Sequence, residues 1–248
     1  MINFPERRRV YLMRHGEAAY VSPEGVVTTD PDNVPLTPHG REQATTHGEV
    51  LANIKFDRAV CSGLPRTVET AGIVTAANNH TTPELEVIPD LREIHGMKGD
   101  RQWPPADGRT TLEALEEIAN PWATGAQPGA KFLGGESFED FAARVAPSWD
   151  RLMVDDNWQT LLLVLHGGVN RMILNHLTGL PWRGDLCFEQ DNCNINIIDV
   201  DSTAPLRYLI RAVNMTAYNL SKDGIVFTNM EATAKRIGDT LSAENQQP

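Results

Sequence analysis

Two histidines stand directly after short apolar runs of the sequence. His15 follows the run that ends in LMR, His166 follows LLLVL, and a glycine comes next in both cases. Residues 10–13 and 161–165 have the apolar character of buried strands, and the second run predicts a central strand covered on both faces. Imidazole is among the side chains that form covalent intermediates. Two imidazoles at comparable strand ends therefore indicate a candidate catalytic site.

Further charged side chains are predicted at the same edge of the sheet. Arg14 immediately precedes His15, whereas Arg66 and Glu93 each come shortly after another short predicted strand. Ligands of open α/β sheets bind beyond the carboxyl ends of the strands. We therefore expect all of these side chains to share one site.

Two arginines, two histidines and a carboxylic acid suit phosphoryl transfer. A phosphoryl group carries charge on three oxygens, so its transfer needs several convergent donors. Arg14 and Arg66 would supply planar guanidinium groups. One histidine would attack phosphorus and the other would hold an oxygen. Glu93 would protonate the departing alkoxide and later accept a proton from water.

The elements that carry these residues are predicted from local signals. Thr37 as N-cap and Pro38 at the first helical position predict a helix over 38–52, and Ser62 is expected to cap the next helix. Apolar spacing predicts the other elements, namely helices at 111–119, 137–154 and 167–179 and strands at 57–61, 85–88, 194–200 and 206–212. This alternation predicts an α/β fold, a three-layer α/β/α sandwich with a mostly parallel central sheet.

Two regions depart from this regular pattern. Residues 96–135 are irregular and only partly helical, and they are expected to form either an insertion over the site or a long surface excursion. The signals fade after Met215, and the tail near 240–248 is expected to be frayed. The whole of 1–248 is otherwise expected to form a single domain.

Composition narrows the classes of partner. The formal net charge of −11 argues against a nucleic-acid partner or an anionic membrane surface, since both need a broad basic face. Three cysteines without CxxC spacing argue against a disulfide framework, and no apolar run is long enough for a signal peptide or a membrane span. We therefore predict a cytoplasmic protein. No sequence feature predicts an oligomeric state.

Six blocks of the sequence, taken in order, resemble the histidine phosphatase superfamily, in its phosphoglycerate mutase-like branch. The blocks are LMRHGE, PLTPHGREQA, CSGLPRTVETA, LREIHG, GGESFEDFAARV and LLVLHGGVNR, and they cover most of residues 10–179. The resemblance implies that His15 becomes phosphohistidine, that Arg14 and Arg66 bind the phosphate, and that His166 completes the pocket. It implies that Glu93 is the proton donor.

Two departures from the family pattern favour a phosphatase over a mutase. Ala18 and Val21 stand where many relatives of the mutase type have threonine and asparagine, and HGMKGDRQWPP replaces the common GxWEG. In another branch the acid directly follows the second histidine, but here that place is taken by glycine, which supports Glu93. The expected function is hydrolysis of phosphomonoesters of small metabolites. The alternatives are a phosphoglycerate mutase-type phosphotransferase and a non-catalytic protein that binds phosphate esters.

Several other residues are weaker candidates for contact with the substrate. They are Glu17, Gly167, His95 and Trp103, and the alternative for each is an ordinary capping, loop or packing role. His39, His47 and His80 are expected to be solvated, and Arg171 is expected to form a salt bridge or to lie at the surface. Neither a metal nor another cofactor is expected, because the arginines already supply positive charge.

Overall fold

Six strands form one mixed sheet in this protein. A computed structural model describes residues 7–22, 27–97, 105–123, 125, 127–179, 188–201 and 207–244. The strands are β1 (Arg7–Arg14), β2 (Arg58–Cys61), β3 (Leu85–Val87), β4 (Thr160–Leu165), β5 (Ile195–Asp201) and β6 (Arg207–Met215). Their order is β3-β2-β4-β1-β5-β6. The first four strands are parallel and β5 is antiparallel to both of its neighbours, which confirms the predicted, mostly parallel sheet.

Helices cover both faces of this sheet. They are α1 (Pro38–Leu51), α2 (Pro65–Ala76), α3 (Thr111–Ala119), α4 (Phe138–Val154), α5 (Gly167–Leu177) and α6 (Asn229–Glu244). In β4, Leu161, Leu163 and Leu165 pack into a core cluster with α4 and α5, while Leu162 and Val164 pack into a second cluster with α1 and α2. All five side chains are fully buried, as expected for a central strand.

Capping interactions fix the starts of several helices. The Thr37 hydroxyl accepts the backbone N–H of Gly40 at 3.0 Å, and Ser137 does the same for Asp140 at 3.0 Å. The prediction that Ser62 caps α2 is wrong, because Leu64 occupies the N-cap position and Pro65 begins the helix. The Ser62 hydroxyl instead lies 2.7 Å from Nε2 of His166.

The structure corrects two further predictions. His47, expected on an exposed helix face, is fully buried, and its Nε2 accepts the backbone N–H of Ala217 at 3.0 Å. The tail is not frayed from residue 240, because α6 continues to Glu244; the last four residues lie outside the described part of the chain. A capping box starts α6, in which Thr228 accepts from the Glu231 N–H at 3.1 Å and Glu231 accepts from the Thr228 N–H at 2.7 Å.

The irregular region 96–135 contains α3, which packs against the C-terminal helix. Ile118 of α3 forms a small buried cluster with Ala234 and Ile237 of α6. Trp103 lies outside the described residues. In the part of the chain that the structure describes, no helix is both long and apolar enough to cross a membrane.

Two glycines bring the end of β1 close to α1. A Cβ atom at Gly16 would lie 2.4 Å from the carbonyl oxygen of Gly40, and a Cβ at Gly40 would lie 2.1 Å from the carbonyl oxygen of Glu17. Both contacts are with backbone, so neither can be relieved by turning a side chain. The loop that follows β1 is therefore held against the first turn of α1 by the absence of side chains.

We predict that Gly40→Ala lowers the free energy of unfolding by about 1–3 kcal/mol, the usual cost of overpacking. Gly72→Ala in α2 is the matched control, because a Cβ there meets nothing within 4 Å. That substitution should stabilise the protein by about 0.5–1 kcal/mol, since alanine favours the helix. Urea unfolding of both variants measures the difference, and equal effects would contradict the role given to Gly40.

Candidate active site

His15 occupies the first position after β1 and is held by backbone on two sides. Its N–H donates to the carbonyl oxygen of Leu165 at 3.0 Å, and its own carbonyl accepts from the Cys193 N–H at 3.0 Å. The side chain is 1% exposed, and its Nδ1 lies 2.7 Å from the carbonyl oxygen of Gly16. A carbonyl can only accept, so Nδ1 carries the proton. The Nε2 atom therefore carries a lone pair and no proton.

The surroundings of His15 keep its imidazole neutral. Burial lowers its pKa well below the usual value, and the positive charges of Arg66 and Arg14 lower that pKa further. The Nε of Arg66 donates to His15 Nε2 at 3.3 Å, which independently requires Nε2 to be unprotonated. A neutral imidazole with this tautomer can act as a nucleophile through Nε2 near neutral pH.

The two arginines converge on His15 from different elements. Arg66, in the first turn of α2, is 2% exposed and donates through Nη1 to the Pro31 carbonyl at 2.9 Å. Arg14, the last residue of β1, donates through Nη1 to the Gln190 carbonyl at 2.5 Å. Its buried Nε has no hydrogen-bond partner among the described residues. Two cations beside a neutral nucleophile form a site suited to an anion.

His166 lies beside His15 because β4 and β1 are adjacent and parallel. Arg14 pairs with Leu165 in the register of these strands, so the next residue of each strand falls at the same place. The centroids of the two imidazole rings are 5.2 Å apart. Burial lowers the pKa of His166 well below its usual value, and Arg66 is the next cause of that shift.

Ser62 determines the orientation of His166. Its hydroxyl lies 2.7 Å from His166 Nε2 and 3.0 Å from the hydroxyl of Thr67, which itself donates to the Leu64 carbonyl at 2.8 Å. Since the Thr67 proton is engaged there, Ser62 donates to Thr67 and accepts from His166 Nε2–H. The Nδ1 of His166 is then unprotonated and has no partner among the described residues. A neighbouring hydroxyl, which the sequence suggests only as a helix cap, thus sets the tautomer.

Glu93 reaches the same place from the loop after β3. Its carboxylate accepts the N–H of Gly168 at 3.0 Å and that of Ile94 at 3.1 Å. Arg144 donates to the backbone carbonyl of Glu93 at 3.1 Å and pairs with Glu136 at 2.8 Å. The acid is therefore fixed at the N-terminal turn of α5, next to the segment that follows His166.

A cavity of about 620 Å³ opens over these groups. The predicted site residues that line it are Arg14, His15, Glu17, Arg66, Glu93, His95 and Gly167. His166 is fully buried and is not part of the lining. The Glu17 carboxylate accepts the hydroxyl of Thr37 at 2.8 Å, whereas His95 is exposed and its ring Nδ1 lies 3.4 Å from the carbonyl oxygen of Gly96.

Some lining residues were not among the sequence candidates. Arg171 is 7% exposed, forms an ion pair with Glu189 and stands 5.4 Å from the ring centroid of Trp122. The side chains of α6 also line the cavity. The TxxE capping signal at Thr228 could have indicated α6, but nothing local indicates which wall it forms.

The comparison with protein families agrees with this geometry. Residues 10–210 match the model of the histidine phosphatase superfamily, branch 1. This chain belongs to that superfamily. The match confirms the family resemblance of the sequence blocks, and relatives named as phosphatases are consistent with a phosphoric monoester hydrolase.

Relatives of known name cover most of this chain. The adenosylcobalamin/alpha-ribazole phosphatase of Escherichia coli K12 is 30% identical over 81% of this chain and 95% of its own length. The Salmonella paratyphi A protein named "Probable phosphoglycerate mutase GpmB" is 29% identical over 77% of this chain and 84% of its own. The crystal structure of the alpha-ribazole phosphatase from Shigella flexneri has a TM-score of 0.63 at 28% identity, and covers 83% of this chain and 96% of that one.

We predict that Gly168→Ala displaces the carboxylate of Glu93. A Cβ at this position would lie 2.5 Å from Glu93 Oε1 and 2.8 Å from the Trp122 ring, whereas a Cβ at Gly167 would first meet Arg14 at 3.4 Å. Gly168→Ala should therefore lower kcat for alkyl phosphates by about 10²-fold, the scale of general acid catalysis. Gly167→Ala should lower kcat for the same esters by a clearly smaller factor. Similar losses in the two variants would contradict the placement of Glu93.

We also predict that acid destabilises the protein through its buried histidines. Burial lowers the pKa values of His15, His47 and His166, so the unfolded chain takes up protons below about pH 6.5 that the folded chain does not. The free energy of unfolding should therefore fall as the pH drops, by up to about 1.4 kcal/mol per pH unit for each group. His47→Gln should reduce this slope in urea unfolding, and His39→Gln, on the exposed face of α1, should leave it unchanged. An unaltered slope for His47→Gln would contradict the prediction.

Proposed function

We propose that this protein hydrolyses phosphomonoesters of small metabolites, without a metal, through a phosphohistidine formed on His15. The observation that carries the proposal is the neutral, buried imidazole whose unprotonated Nε2 lies beside Arg14 and Arg66. Those guanidinium groups would neutralise charge on the transferred phosphoryl group. The proposed catalytic residues are His15, Glu93, Arg14, Arg66 and His166.

The reaction would proceed in two displacements. His15 Nε2 attacks phosphorus, a P–N bond forms and the ester P–O bond breaks, while protonated Glu93 gives its proton to the departing alkoxide. Water then attacks the phosphohistidine as the Glu93 carboxylate takes a proton from it. The P–N bond breaks, inorganic phosphate leaves, and both residues return to their starting states.

His166 would hold one phosphoryl oxygen during both steps. Ser62 occupies its Nε2, so only Nδ1 remains to contact the phosphoryl group. An unprotonated Nδ1 cannot donate a hydrogen bond, so it would acquire a proton when a phosphate binds. The negative charge of the ligand would raise the pKa of this histidine and drive that uptake.

Relatives of both kinds of activity are similar to this chain. A relative named as a phosphatase is 30% identical, and the match covers 95% of that relative. Relatives named as mutases are also similar, which makes a phosphoglycerate mutase-type phosphotransferase the second candidate. Product analysis separates the two, because a mutase accumulates a positional isomer and a phosphatase releases inorganic phosphate. Binding of a phosphate ester without any turnover would instead support the non-catalytic alternative.

The test is release of phosphate from p-nitrophenyl phosphate and from alkyl phosphates in the presence of EDTA. His15→Ala should abolish release from both kinds of ester. Glu93→Gln should lower turnover of alkyl phosphates by about 10²–10⁴-fold but affect p-nitrophenyl phosphate much less, since that leaving group needs little protonation.

His39→Ala is the matched control, because this histidine lies on the surface with its side chain 59% exposed. Its activity should equal that of the unmodified protein. Rapid quenching should reveal a phosphorylated protein, and the phosphoryl group should map to His15. Activity that survives His15→Ala, or that disappears with EDTA, would contradict the proposed mechanism.

A further inference from the structure

The cavity over His15 extends well beyond the space that a phosphate occupies. Its volume of about 620 Å³ lies within the range of about 300–1,000 Å³ typical of pockets for drug-sized ligands. Arg14 and Arg66 line the part of it beside His15, and Arg171 and Arg236 line it elsewhere. The remaining wall must therefore contact the organic part of the ester.

Much of that wall comes from α6, which lies outside the segment matched by the family model. The match ends at residue 210, and α6 spans Asn229–Glu244. Met230, Ile237 and Leu241 of this helix line the cavity together with Ile118 of α3. Several side chains of the wall therefore come from a segment of this chain that the family pattern does not include.

The wall formed by α3 and α6 is a packed structure. Ile118, Ala234 and Ile237 form its buried centre, with Leu115 and Leu241 packed against them. Gly238 lets the two helices approach closely, since a Cβ there would lie 3.3 Å from Leu115 Cδ1. These contacts hold the apolar side chains in place before any ligand binds.

The same helix is joined to the phosphate end of the site. Asn229, its first residue, donates through Nδ2 to the carbonyl oxygen of Gln190 at 3.3 Å. That carbonyl also accepts Nη1 of Arg14. One backbone oxygen thus links the apolar wall to a phosphate-binding arginine, which fixes the distance between the two parts of the site.

Apolar and polar side chains share this wall. The apolar lining contributed by α6, α3 and two neighbouring loops comprises Val27, Ile118, Leu133, Met230, Ile237 and Leu241, and α6 also contributes Asn229, Thr233, Arg236 and Thr240. Leu133, Met230 and Leu241 are half-buried, so a bulky apolar group would gain free energy by covering them.

We infer that the α3–α6 wall selects phosphomonoesters whose organic part is a bulky apolar or aromatic group. This inference rests on the proposed function of the phosphate end. Phosphate would be held at Arg14 and Arg66, and the organic group would lie along Leu133, Met230 and Leu241.

A series of n-alkyl phosphates, from ethyl to octyl, tests the inference. All members have similar leaving groups, so chain length changes contacts with the wall and not the chemistry. The value of kcat/KM should rise about fourfold per added methylene until the chain fills the cavity. A value independent of chain length, with ethyl phosphate still hydrolysed, would overturn the inference and leave the proposed function intact.

Inhibition by n-alkyl phosphonates separates the wall from catalysis. These compounds cannot be hydrolysed at the P–C bond, so their inhibition or direct calorimetric binding reports contacts alone. Tighter binding with longer chains, in a protein that hydrolyses no ester, would support the wall while contradicting the proposed function. Binding that does not change with chain length would overturn the inference.

Variants of α6 test whether this helix causes the dependence of kcat/KM on chain length. Met230→Gln keeps the length of the side chain but adds an amide, and it should lower the hexyl-to-ethyl ratio of kcat/KM by about fivefold. Met230→Leu should preserve the ratio. Lys235→Ala is the matched control on the same helix, because Lys235 lies on its exposed face and pairs with Asp239. An equal change in the ratio for Met230→Gln and Lys235→Ala would overturn the assignment of the wall to α6.

Discussion

The burial of a neutral imidazole between two guanidinium groups is the constraint on which the site depends. His15 and Arg66 are almost inaccessible to water, so each needs partners inside the protein. Backbone carbonyls supply them: Gly16 fixes the tautomer of His15, Pro31 accepts from Arg66, and Gln190 accepts from Arg14. These carbonyls belong to two loops: Gly16 and Pro31 lie in the one between β1 and α1, and Gln190 lies in the one before β5. The loops must therefore keep their positions for the imidazole to remain an unprotonated base.

The sheet supplies the second requirement, the closeness of the two histidines. The strands β1 and β4 are far apart in the chain but adjacent and parallel in the sheet, with Arg14 opposite Leu165. Parallel neighbours end at the same edge, so a histidine after each strand reaches the same point. Glu93 arrives there from the loop after β3, and the N-terminal turn of α5 receives its carboxylate. The absence of a side chain at Gly168 makes room for this contact.

The two ends of the cavity differ in how they are built. The end that carries His15 uses strand termini and the first turns of helices, which lie within the matched family segment. The other end uses α3 and α6, which pack mainly on each other through a small apolar cluster. Of these two helices, α3 lies within the matched segment and α6 lies beyond it. The Gln190 carbonyl is the direct link between the two ends.

Sequence alone determined the strands, most helices and the gathering of Arg14, Arg66 and Glu93 near the two histidines, but not Arg171, because apolar periodicity and capping are local signals. Tertiary structure decided what those signals do not encode. Serine commonly caps helices, but Ser62 contacts His166 instead. His47 lies in a polar helix, but the segment after β6 buries it. The helix α6 carries a local capping box, but only its packing against α3 makes it a wall of the cavity. Such contacts join residues distant in the chain, so no short pattern can specify them.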